Sequence, residues 1–149
     1  MSLRRVFILW TLLLCLPGLA SAYKYWERAE LAKDLKNQVG QEVKVVDEIL
    51  TTYTKNQTIP GYFKFDTVHF RCLIPNDKTE AIDHVKEVAS RKTKGSRREK
   101  RLVTIEAKVE RKDVYGKVGG KEAGVATEAI LLIVDKASKP RSRYYKDIP

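Results

Sequence analysis

Apolar residues recur along this chain with two periods, and the places where one period gives way to the other mark out its elements. Leu31 and Leu35 are four apart, with Ala32 and Trp26 near the same side, which predicts a short helix over residues 26–37 that Gly40 ends. Residues 42–53 then alternate as a strand, with Val43, Val45, Ile49 and Tyr53 sharing one parity. Asp47 interrupts that face and predicts a bend or bulge there. Residues 54–61 form a polar turn that carries Pro60-Gly61. In the next apolar run Phe63 and Phe65 are odd-numbered, whereas Val68, Phe70, Cys72 and Ile74 are even-numbered. Strand side chains alternate strictly, so the flip at Asp66-Thr67 requires either one bulged strand or two short strands. Pro75-Asn76 closes the run. Asp77 and Glu80 then form a capping-box-like pair ahead of an apolar stripe, Ile82, Val85, Val88 and Ala89.

The clearest strand follows. Val103, Ile105, Ala107 and Val109 face one way while Thr104, Glu106, Lys108 and Glu110 face the other, the pattern of a half-buried antiparallel strand. Residues 112–127 hold Gly116, Gly119, Gly120 and Gly124 and read as a long flexible loop. Residues 130–134 are wholly apolar and read as a central strand covered on both sides, with Pro140 as the stop. The fold class is therefore mainly β with flanking helices.

The amino terminus has a different pattern. Arg4 and Arg5 precede an apolar run over residues 6–16 in which only Thr11 is polar; Pro17-Gly18 breaks it, and Ala20-Ser21-Ala22 follows. That order is a secretory signal peptide cut after Ala22, which places the mature chain outside the cytoplasm, secreted or periplasmic. Loss of the first 22 of 149 residues leaves 127, enough for one small domain. No segment of that mature chain approaches the roughly 17–25 apolar residues of a membrane span. Cys72 is its sole cysteine, so no internal disulfide forms, and the alternation puts Cys72 on the Phe70 side of its strand.

The order of helix, strand, bulged strand or hairpin, helix, strand, glycine-rich segment and strand suits a small closed barrel, which removes exposed sheet edges. Residues 40–45, 63–72, 103–109 and 131–135 resemble the secreted bacterial OB-fold proteins grouped with tRNA-anticodon-binding-like domains. The resemblance spans roughly residues 40–139. It implies a five-stranded OB-fold-like closed barrel with a helix between strands three and four; the residues outside it read as an N-terminal helix (23–39) and a basic, aromatic tail (140–149). It also implies a binding surface on strands two and three, framed by loops at 54–61 and 112–127.

Charge adds a candidate partner. The 29 basic residues fall to 27 without Arg4 and Arg5, against 19 acids, so the mature chain carries +8 and attracts polyanions. Seven of the eleven residues 91–101 are basic: Arg91, Lys92, Lys94, Arg97, Arg98, Lys100 and Arg101. Cations so closely spaced can neutralise successive phosphates without reading sequence. Aromatic residues beside cations can stack bases. Tyr62, Lys64, Arg71, Tyr115 and Lys117 are the ligand-binding candidates on this ground; Tyr53 also qualifies, and Phe63 and Phe65 fit the core better. His69 and His84 have no ligand-spaced partners, so no metal site or cofactor is expected. Asp47, Asp66, Arg71, Glu106 and Glu110 could compose a nuclease site only on paper, and no catalytic residue is assigned. The expectation is an exported, non-enzymatic binding module for a polyanion (nucleic acid or acidic glycan) or an envelope protein. The alternatives are a structural or adaptor protein of the envelope and a secreted metal-dependent nuclease.

Overall fold

The computed structural model describes residues 23–53, 59–91, 101–118 and 121–141, with backbone alone for 114–118 and 121–127. The proposed signal peptide lies outside the described residues. Among the described residues six strands and two helices run in the order β1 (Lys24–Trp26), α1 (Arg28–Asp34), a 3-10 turn (Leu35–Gln38), β2 (Glu42–Thr52), β3 (Tyr62–Thr67), β4 (Arg71–Pro75), α2 (Thr79–Ser90), β5 (Leu102–Val118) and β6 (Lys121–Ser138). The strands join as β1-β2-β3-β4-β6-β5, and β5 pairs back onto β2. Strands β2, β3, β4, β6 and β5 therefore close into a five-stranded barrel, and β1 lies parallel to β2 outside the ring. Within the ring β4 and β6 run parallel, and the other pairs are antiparallel. This topology, with a helix between the third and fourth barrel strands, is OB-like.

The inward rows are those the alternation marks, except that Val68 is exposed in the β3–β4 turn and Tyr53 is not in the core. Val43, Val45, Phe65, Cys72, Ile74, Val103, Ile105, Ala107, Val109 and Leu132 are completely buried. Leu31 of α1 and Ala81, Val85 and Val88 of α2 pack into the same core. Each of the buried Val, Leu, Ile and Phe side chains contributes about 1.5–3 kcal/mol through removal of its apolar surface from water. Burial also pushes the Cys72 thiol well above its usual value.

The parity flip at Asp66-Thr67 resolves into two strands. A tight Val68-His69 turn joins β3 to β4, where Thr67 N donates to Phe70 O (2.9 Å) and Phe70 N donates to Thr67 Oγ1 (3.0 Å). Three expectations are corrected. Asp47 does not bulge; it stays in register opposite Val103, and the shift falls later, between Ile49 and Thr51, at the exposed Leu50. Asp77 does not cap α2: Lys78 N bonds Pro75 O (2.9 Å), which sets Lys78 at the cap position with no side-chain cap bond. Residues 112–118 and 121–127 are not a loop. They belong to the outer part of a long β5–β6 hairpin, paired from Lys112↔Ala129 to Tyr115↔Ala126 and, after a register shift, from Lys117↔Glu122 to Val118↔Lys121. Cross-strand backbone pairing satisfies a glycine-rich segment as well as any other, because the ladder uses no side chains.

Candidate binding face on β3 and β4

The shift at Leu50 decides which residues reach the outer surface. Ahead of it, Ile49 lies opposite the buried Thr67; beyond it, Thr51 lies opposite Asp66 and Thr52 opposite Phe65. A one-residue slip exchanges the two faces of a strand. Tyr53, whose parity in the sequence matches the core, is turned outward: its N–H bonds Lys64 O (3.1 Å) and its hydroxyl donates to Asp66 Oδ2 (2.5 Å). That hydrogen bond, followed by burial, raises the Tyr53 hydroxyl above the ordinary phenol value.

Tyr62, Lys64 and Asp66 form the outward row of β3, opposite Pro75, Leu73 and Arg71 of β4. Two of the aromatic rings here carry a cation. Lys64 Nζ lies 4.3 Å from the Tyr53 ring centroid, and Lys112 Nζ lies 4.9 Å from that of Tyr62. Lys112 belongs to β5, which does not pair with β3, so this contact joins two strands that are not neighbours in the barrel. Leu73, on this outer side, is buried with 1% exposure. Arg71 remains exposed.

Three of the five ligand candidates, Tyr62, Lys64 and Arg71, therefore come together on one face. Tyr115 and Lys117 lie in the hairpin, where only the backbone is described. Of the basic run, Arg91 ends α2 and pairs with Glu87 (3.5 Å), and Arg101 offers its carbonyl to Ile49 N (2.9 Å). Lys92, Lys94, Arg97, Arg98 and Lys100 lie outside the described residues, as do positions 54–58 of the first framing loop and the tail from 142. Phe65 is fully buried and Phe63 packs against the core, stacked on Phe65 at 6.5 Å. Nothing local in the sequence marks Lys112, whose partner ring lies on a strand that β5 does not pair with.

The carboxylates of the paper nuclease have separate employment. Asp47 is fully buried and accepts from Glu48 N and His69 N (both 2.9 Å). His69 Nδ1 stands 3.2 Å from both its oxygens and Arg28 is 3.6 Å away. A carboxylate only accepts, so His69 carries its proton on Nδ1. Glu106 pairs with Lys44 (3.3 Å). Among the described residues no three His, Cys, Asp or Glu side chains stand together as metal ligands.

Elsewhere, a cleft of about 510 Å³ opens beside the start of α2, lined among others by Asp77, Lys78, Glu80, Glu106, Asp135 and Lys136. Lys78 bonds Asp135 (2.8 Å), whose other oxygen accepts from the Tyr23 hydroxyl (3.0 Å). Four carboxylates and two ammonium groups line it, so the cleft is less suited to a polyanion than the cationic face of β3 and β4.

The fold and this face define a small OB-like barrel with an aromatic and cationic outer surface. No protein-family model matches the chain, and no curated protein matches it. Among solved structures, a protein of Leishmania major Friedlin described as an aspartyl-tRNA synthetase has a likeness at 17% identity and a TM-score of 0.40, over 78% of this chain. The match spans only 20% of that much longer chain. The strand order, not this likeness, carries the fold assignment.

Proposed function

We propose that this protein is an exported, non-enzymatic binding module that holds single-stranded nucleic acid on the outer face of β3 and β4. One observation carries the reading: Tyr53 and Tyr62 each stand on this face with a lysine ammonium within 5 Å of the ring centroid. Such pairs combine a surface on which a base stacks with a charge that moves to the neighbouring phosphate. Arg71 adds a third exposed cation, and the basic run over residues 91–101 adds sequence-independent attraction. Export rests on the amino-terminal pattern. A cut after Ala22 keeps Tyr23 and β1 in the mature chain, with their contacts to Asp135 and β2. Among the described residues no helix is long and apolar enough to cross a membrane.

The test is binding of the mature chain to single-stranded DNA, RNA and an anionic glycan at two salt concentrations. Salt-sensitive binding to the nucleic acids, weakened by Tyr53→Ala and Tyr62→Ala, supports the reading. Salt-sensitive binding to glycan alone, or binding indifferent to both tyrosines, overturns it. Recovery of one envelope protein and no nucleic acid after crosslinking in whole cells favours an adaptor, and cleavage of the strand in the presence of magnesium, calcium or manganese favours a nuclease. Sequencing of the exported product reads the cut directly: a start at Tyr23 is expected.

A further inference from the structure

The Asp66 carboxylate is only half used. Its Oδ2 accepts from Tyr53, whereas its Oδ1 is buried with no hydrogen-bond partner. An unpartnered buried acceptor is costly, and such groups persist where they have a role. Asp66 stands between two features that would hold a nucleotide: its Oδ2 holds the Tyr53 hydroxyl, and its register partner on β4 is the exposed Arg71. A base would reach Oδ1 only once neighbouring side chains move, and Lys64 over the Tyr53 ring and Arg71 are long cations that a phosphate would draw.

We propose that Asp66 makes this face prefer guanine, by accepting from the Watson–Crick edge of a base stacked on Tyr53. The inference rests on the nucleic-acid reading above. An ionised carboxylate accepts and never donates. Guanine presents an imino N–H and an amino N–H side by side, which match Oδ1 and the remaining lone pair of Oδ2. Cytosine and adenine place a ring nitrogen lone pair next to their amine, and thymine flanks its N–H with two carbonyl oxygens. Each of those sets an acceptor against the carboxylate. Tyr53 fixes the carboxylate through Oδ2, so the orientation of Oδ1 is set before a base arrives.

The experiment is fluorescence anisotropy with a short oligothymidine carrying guanine, cytosine, adenine or thymine at its centre. The guanine strand should bind about tenfold tighter than the all-thymine strand. Asp66→Asn should bring the two within about twofold, with circular dichroism reporting the fold. Should Asp66→Asn fail to fold, Tyr53→Phe keeps the ring and frees Oδ2, and guanine preference should persist in it. Salt-sensitive binding with equal affinity for all four strands overturns the guanine assignment and leaves the nucleic-acid reading standing. Absence of binding to every strand overturns both.

Discussion

Asp47→Asn is the substitution that should cost this fold most for the fewest atoms changed. Asp47 is fully buried, and each of its oxygens accepts from a backbone N–H at 2.9 Å, one from Glu48 and one from His69. The His69 ring and Arg28 supply two further donors. An amide has one acceptor oxygen, so whichever way Asn turns, its NH₂ meets a backbone N–H. That loses a charge-assisted bond worth about 1.5–3 kcal/mol and leaves a donor unpaired at about 1–3 kcal/mol. Arg28 keeps part of its surface in water and recovers some hydration, which draws the total toward the lower end, about 3 kcal/mol. Domains of this size have only about 5–15 kcal/mol in all. Urea unfolding of wild type and variant is the assay, with a lower midpoint and an unchanged slope expected. Glu106→Gln is the control: its pair with Lys44 is partly exposed, so its removal should cost under about 1 kcal/mol. A loss below about 1 kcal/mol for Asp47→Asn would refute the view that this carboxylate ties α1 and the β3–β4 turn to β2.

The contact between Tyr23 and Asp135 makes stability fall at both extremes of pH. Asp135 is held below the usual carboxylate range, first by Lys78 and also by Tyr23, so its contribution is complete above about pH 4 and is lost as pH falls through its lowered folded value. Tyr23 is pushed up to about 12, first by burial and then by its bond to Asp135, so its contribution is complete below pH 10.0 and is lost as pH rises toward 12. Tyrosinate absorbance during alkaline titration should show late-ionising phenols, Tyr23 and Tyr53 among them, and Tyr23→Phe should remove one of them. Cys72, buried and with its thiol pushed up, should resist a thiol reagent at pH 8 in the folded chain and react at once in urea; rapid reaction in the folded chain would contradict its burial. Gly61 has φ +85° with open space around its missing Cβ, so Gly61→Ala should cost about 1–2 kcal/mol in the same urea assay, entirely from backbone strain.

Several elements were legible because their period is local. The Val103-to-Val109 alternation became the inward row of β5, and the flip at Asp66-Thr67 became a turn. The Lys112–Thr127 region misled because glycine content reports side-chain propensity, whereas a ribbon of two paired strands is held by its backbone. The Asp77–Glu80 pair misled because the Pro75–Lys78 turn set the helix start one residue later. Of the binding face, Tyr62, Lys64 and Arg71 were readable as aromatic and basic neighbours; Lys112 was not, since it arrives from a strand that does not pair with β3.

The sequence by itself determined the inward rows of the barrel, the helix between its third and fourth strands, and the surplus of positive charge. These follow from side-chain periodicity and composition, which act over a few residues. Only the tertiary structure decided that Tyr53 faces out and that Asp66 keeps one oxygen unpaired. Both depend on how β2 meets β3 across the shift at Leu50, and strand register is fixed by pairing between distant segments, not by either strand alone.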